Sequence, residues 1–212
     1  TAAGTGEPAQ RARRHASVLR ARSGATRLVR TVSAPNGSVV SRQVIVGRVD
    51  EEASLVRQRT RLFQPSYAVD TPPNATIWTN GSVVARRIGG TTTRANRSPR
   101  PVERQLASGR AVVYQAFSEW PLSYAGSTRT DTGVVDSYAV ERDRLGRGAA
   151  TPAVDVSVTV VVAESGVVRS VRVSYETTLV GRNVTVSEQF ESTADGDVTV
   201  DPPGWVANAT GG

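Results

Sequence analysis

Cysteine, methionine and lysine are all missing from the 212 residues, and histidine occurs once, as His15. Without cysteine there is no disulfide, no thiolate nucleophile, no iron–sulfur cluster and no cysteine-ligated zinc. One histidine with no cysteine cannot build a usual transition-metal site, so no metal or other cofactor is expected and His15 reads as a surface residue. Aromatics are few, 11 against 34 valines, so the core is expected to be valine-rich sheet. No apolar run reaches the roughly 18 residues of a membrane span, and the run Val158 to Ala163 is strand-length. The chain opens on Thr1, Ala2, Ala3, Gly4 and Thr5 with no initiator methionine, which reads as the remainder after a targeting segment is removed, or as a trimmed piece of a longer chain.

All 26 basic side chains are arginine, against 19 acidic ones, for a formal charge of +7. Folding does not demand this bias, and a GC-rich coding sequence accounts for it. A net positive charge suits anionic partners in general. The arginines nevertheless run through the whole chain with no aromatic-rich stacking motif beside them, so nucleic acid is not expected as a partner.

Asparagine is used in one way only. Asn36, Asn74, Asn80, Asn96, Asn183 and Asn208 each begin an N-x-S/T triplet, and there are no others. Serine and threonine make up 42 of 212 residues, so six matches by chance have a probability of about 0.2 to the sixth power, below ~10⁻⁴. Asn36-Gly37 and Asn80-Gly81 are hairpin-turn dipeptides, and none of the six sits on a core-facing position of its segment. The pattern predicts export and N-glycosylation at these six residues.

The strongest structural signal lies between Val154 and Phe190. Val154, Val156, Val158, Val160 and Val162 alternate with Asp155, Ser157 and Thr159, a turn follows at Glu164 to Gly166, and two more alternating runs carry Val171, Val173, Tyr175, Val184 and Val186. A period of two with polar turns predicts antiparallel strands covered on one face. Upstream, Pro8 to Arg22 reads as a helix, with Ala9, Ala12, Ala16 and Leu19 at helical spacing and Gly24 as its stop. Its arginines suit either a solvated face or an anionic membrane surface. Strands are expected at Thr26–Ser33, Ser38–Val49, Ser54–Phe63, Ala75–Thr79 and Ser82–Ile88. The third sets Arg57, Arg59 and Arg61 on one side, which calls for carboxylates on a neighbouring strand or for an anionic partner. Gly89–Pro101 reads as a linker and Pro101–Phe117 as a second helix, weakened at Gly109. Tyr124 and Val134–Glu141 supply further strands before an arginine–glycine loop at Asp143–Gly148. Trp205 is expected to plug one end of the core.

Two features together resemble a known family. The first is the opening helix with His15 and Leu19, leading directly into long strands. The second is the late Gly166-Val167-Val168-Arg169 hairpin followed by Val200, Pro203 and Trp205. The pattern is similar to haloarchaeal predicted surface lipoproteins of unknown function, whose overall plan resembles the bacterial lipoprotein-carrier fold (LolA/LppX-like). The resemblance implies an α+β class: a curved antiparallel half-barrel sheet with an N-terminal and a central helix packed on its concave face. It also implies a single domain over residues 8–206, a flexible tether at 1–7 and a tail at 207–212.

The same resemblance implies a hydrophobic cavity for a lipid or other apolar ligand. Its lining is expected from Val44, Val46, Val56, Leu62, Trp78, Val113, Phe117, Val156, Val158 and Val160. Membrane association would run through an N-terminal anchor, with the protein on the extracellular face of the membrane or secreted. The leading expectation is thus a non-enzymatic carrier or binding module. The alternative is a structural or interaction domain of the cell envelope with a filled core. Asp131, Asp136, Glu141, Asp143, Asp155 and Glu188 match no catalytic motif and are read as balancing the arginines, so no catalytic residue is expected.

Overall fold

The computed structural model describes residues 7–67, 72–99, 105–145, 153–194 and 196–211. Its frame is a curved sheet that stays open and carries helices on its concave side, as the α+β expectation has it. Helix α1 is Pro8–Ala21, with proline in its first turn and Ala12, His15 and Leu19 buried on one face. Ser23, at φ 48°, turns the chain directly into β1, Gly24–Ser33. Strands β2 (Val39–Val49), β3 (Ser54–Leu62), β4 (Ala75–Thr79), β5 (Val83–Ile88) and β6 (Thr91–Asn96) then step outward as antiparallel neighbours. The chain crosses the sheet through α2, Arg110–Glu119, and resumes at the opposite edge. From there β7 (Ser123–Thr130), β8 (Gly133–Leu145), β9 (Ala153–Ala163), β10 (Val168–Leu179) and β11 (Arg182–Thr193) step back inward until β11 pairs with β1. The two-residue β12, Thr210–Gly211, lies parallel to β6, so the expected tail has an ordered contact. Of the expected tether only Glu7 is among the described residues.

This topology places the crossover segment across the concave face, where the main core forms. Phe190, Val158, Val160, Val168, Val171, Val184 and Val186 of the sheet meet Val113 and Ala116 of α2 and Ala12 of α1. Register alternation sets the arginines of β3 on the other, convex face, with Val44 and Val46 as cross-strand neighbours of Arg59 and Arg57.

Five readings need correction. Gly89–Pro101 is not a linker: Gly89 and Gly90, both at positive φ, form a tight turn into β6. That strand carries threonine and arginine in place of an apolar alternation because it is far from the main core. The second helix is not continuous either. Helical residues 105–107 stop at Ser108 and Gly109, the latter at φ 63°, and α2 starts at Arg110. Residues 101–104 lie outside the described residues, as do 146–148 of the expected arginine–glycine loop.

Val154 does not join the core face of β9. A bulge opposite Ser174 and Glu176, with Asp155 at φ 49°, shifts the alternation, and Ala153 is buried in its place. Trp205 does not plug the main core: it packs with Val200 and Val206 against Trp78, Leu55 and Ala85 in a separate cluster on the convex side. Finally, His15 is not a surface residue. Its side chain is fully buried.

Candidate functional site

The concave face is filled by the chain's own helices. Val113, Val158 and Val160 are 0–1% exposed and Val156 is 2% exposed, packed in one cluster with Phe117 at its edge. The other expected lining residues are elsewhere. Val56 belongs to a second concave cluster with Leu19, Val49 and Ala107. Leu62 is half-buried at the end of β3, Trp78 is in the convex cluster, and Val44 and Val46 are half-buried on the convex face. The structure therefore brings five of the ten together, Val113, Phe117, Val156, Val158 and Val160, and disperses the rest.

An open cleft remains at the rim of this core, where α1, the C-terminal half of α2 and the β9–β10 hairpin converge. It has a volume of about 340 Å³ and is lined by Arg11, Arg14, Phe117, Tyr138, Val162 and Val168 among others. That volume falls at the lower end of the range for small-molecule sites. The Arg11 guanidinium lies 4.8 Å from the centre of the Phe117 ring and 4.9 Å from that of Tyr138. It also donates a 3.4 Å hydrogen bond to the Tyr138 hydroxyl. Phe117 meets Tyr138 edge-on at 5.8 Å, and Tyr138 meets the half-exposed Tyr124 at 5.9 Å. The Tyr124 hydroxyl is 2.6 Å from Ser127 Oγ, which donates to Asp136 Oδ1 at 2.5 Å. Arg14 donates from Nε to the Ser165 carbonyl at 3.0 Å and so fastens α1 to the hairpin.

Beneath the cleft, His15 ties three segments together. Its Nδ1 accepts the Val168 amide at 3.1 Å, and Nε2 stands 2.9 Å from the Ser108 carbonyl. An accepting Nδ1 carries no proton, so the ring is neutral and donates from Nε2. Phe190 meets the ring edge-on at 5.9 Å. Desolvation by burial lowers the imidazole pKa to about 4, against a smaller raising effect of the Ser108 hydrogen bond.

Of the cleft residues, Phe117 was anticipated as a binding residue, and Val162 as part of the Val154–Val162 face. Tyr138 sits at a core-parity position in its strand, a signal the alternation contains, whereas Arg11 is indistinguishable in sequence from the other arginines of α1. Among the described residues no group of three or more histidine, aspartate or glutamate side chains gathers to hold a metal. No helix among them is long and apolar enough to cross a membrane. All six sequon asparagines are exposed. In two of them the sequon hydroxyl bonds the carboxamide, Ser38 Oγ to Asn36 Oδ1 at 2.7 Å and Ser82 Oγ to Asn80 Oδ1 at 3.4 Å.

No protein-family profile matches the chain, and neither does any curated protein. Among solved structures, it is similar to MucB in complex with MucA(peri), at 16% identity and a TM-score of 0.32, over 93% of this chain and 59% of that one. It is similar to PNGF-II at 7% identity and a TM-score of 0.28, over 91% of this chain and 31% of that one. For the MucA/MucB complex of Pseudomonas aeruginosa the values are 14% and 0.13, over 89% of this chain and 95% of that one. The chain thus spans about three fifths and one third of the first two structures, and likenesses this distant carry no functional argument.

Proposed function

We propose that this chain is an exported, N-glycosylated, non-enzymatic binding domain of the cell surface, taking the apolar part of a lipid-like ligand in the rim cleft. The observation that carries the binding part is the cleft of Phe117 and Tyr138, faced by Arg11 and Arg14 with Asp136 and Glu164 also in its wall, while Tyr124 supports the Tyr138 ring from outside the lining. Apolar rings beside guanidinium groups suit a ligand with an apolar body and an anionic head. Export rests on the six exposed asparagines, since a glycan needs solvent at its attachment point. The near-zero exposure of Val113, Val158 and Val160 favours a second reading, an interaction domain of the envelope with a filled core and no ligand.

Native protein purified from its source separates the two. Intact mass before and after enzymatic removal of N-glycans is expected to fall by several glycan masses. Organic extraction is expected to release a lipid, and an F117A/Y138A variant should retain less of it. Release of no lipid from glycosylated protein would leave the interaction domain standing, and an unmodified polypeptide mass would overturn the export reading.

A further inference from the structure

The convex face carries a set of arginines that no ion pair among the described residues neutralises. Arg27, Arg42, Arg57, Arg59, Arg61 and Arg87 all sit on this face and are exposed. Register aligns Arg27, Val46, Arg57, Thr76 and Arg87 across five adjacent strands. A cation therefore recurs at every second strand, about 9.5 Å apart at the usual strand spacing. Along β3, Arg57, Arg59 and Arg61 recur at roughly 6.7 Å. Arg42 stands directly opposite Arg61, a like-charge pair that costs stability in a sheet.

Among the described residues none of these six forms an ion pair. Glu191 faces Arg27 across the strands but bonds to Gln189, and the Arg30–Glu188 pair lies on the concave face. Of the two explanations open for the β3 arginines, carboxylates on a neighbouring strand are therefore absent from the register: Arg57 faces Val46 and Thr76, and Arg59 faces Val44.

One end of the row is built into a cleft of about 460 Å³. Arg57, Arg59, Arg87, Asn74 and Trp205 line it, and among the described residues no acidic side chain is in its wall. The Arg87 guanidinium is 5.7 Å from the centre of the Trp205 ring, leaving an aromatic surface beside the cations. We propose that this row binds a linear acidic polysaccharide, with carboxylate or sulfate groups on the arginines and a sugar ring against Trp205. Planar guanidinium groups pair bidentately with such anions, and their regular recurrence suits a polymer whose charges repeat along an extended backbone. A bilayer surface fits less well, because the sheet curves away from any plane on this side. Single-stranded nucleic acid would want a succession of stacking rings, and the cleft offers one. The surface lies on the opposite face of the sheet from the aromatic rim cleft, and its occupancy does not depend on that site.

The test is calorimetric titration of a long oligogalacturonate into protein made without N-glycans, so that a sugar on Asn74 does not compete. Methyl-esterified galacturonan serves as the uncharged control. Phosphatidylglycerol–phosphatidylcholine vesicles and oligothymidylate are run beside them. The wild type is expected to bind the oligogalacturonate, to lose that binding as salt rises, and to ignore the ester. R57Q/R59Q/R87Q is expected to bind at least about tenfold more weakly, since charge-assisted hydrogen bonds are lost. R13Q/R20Q/R22Q, which removes equal charge at the first helix, should bind as the wild type does. The first triple variant sheds mutual repulsion and should keep its unfolding midpoint. Equal weakening by both triple variants, undiminished binding by the first, equal binding of the ester, or tighter binding of vesicles or oligothymidylate would each overturn the proposal.

Discussion

His15 and Ser108 are 93 residues apart in sequence and joined by a buried 2.9 Å hydrogen bond between Nε2 and the carbonyl oxygen. Together with the Val168 amide on Nδ1, that bond fixes helix α1, the crossover segment and the start of β10 to one ring. The arrangement works only for neutral imidazole, because a protonated Nδ1 would point a hydrogen at the Val168 N–H.

A dependence of stability on pH follows. The folded pKa is about 4, below the unfolded value of 6.5, so the unfolded chain takes up the proton first as pH falls. Stability contributed by the neutral ring is complete above pH 6.5 and is lost progressively between 6.5 and 4. The full loss is about 3 kcal/mol, of which about 2 kcal/mol is gone by pH 5, before most carboxylates titrate. Urea unfolding between pH 7.5 and 5 checks this. The H15Q variant should be less stable at pH 7.5 by about 1–3 kcal/mol, through the strained or missing hydrogen bonds, and nearly flat across the same range. An equal slope in both proteins would remove His15 as the cause.

Close approach of the crossover to the sheet depends on two glycines. A side chain at Gly47 would overlap the Ala107 carbonyl, and one at Gly109 would overlap the Phe190 ring. G47A is therefore expected to cost about 1–3 kcal/mol, as overpacking in a rigid core does, while G204A, where nothing lies within 4 Å, should be close to neutral. G109A carries overlap and a left-handed backbone together, and pairing it with F190L should recover part of the loss. Strict additivity of those two changes, measured by chemical denaturation, would show that the ring is not what the glycine accommodates.

These contacts explain which parts of the fold were legible. The alternation of Val158, Val160, Val171, Val173, Val184 and Val186 reports directly on the covered face, because strand periodicity is local. The pairing of β1 with β11 is not local, and neither is the crossover that buries His15: a lone histidine on a helix has the same sequence signature whether its face meets solvent or another segment. The bulge at Asp155 escaped for a related reason, since it is defined by the partner strand's register. Strand β6 was missed because its threonines lack the apolar contrast that marks a covered strand. For the binding residues, the family resemblance implied Phe117, but only the packed structure puts Arg11 beside it.

The six asparagines lead to a graded expectation. Asn183 and Asn208 are exposed, so N183Q and N208Q should remove one glycan mass each and leave stability within about 0.5 kcal/mol. Asn74 differs because its Oδ1 accepts a backbone amide, that of Thr60 at 2.8 Å, whereas Asn183 Oδ1 accepts the Thr178 hydroxyl in an exposed bond at 3.3 Å. N74Q should cost about 1 kcal/mol in addition to any glycan. Intact-mass spectrometry with thermal unfolding on the same samples reads both effects, and an unchanged mass for all three variants would remove the sequons from the account of export.

The Arg11 sandwich gives the sharpest check on the rim cleft. A guanidinium 4.8 Å from Phe117 and 4.9 Å from Tyr138 is attracted by both ring faces, and a partly desolvated cation of this kind contributes about 0.5–2 kcal/mol. A double-mutant cycle of R11Q and F117L should return a coupling in that range, because each substitution removes the same contact. The two variants should separate in ligand retention. If an apolar body lies against the rings with its anionic head on the arginines, F117L weakens capture of neutral and anionic amphiphiles alike, whereas R11Q weakens only the anionic ones. Measured with a fatty acid and the corresponding fatty alcohol, equal loss of both on R11Q would mean that the arginine merely packs, and the charged half of the proposed site would have to be given up.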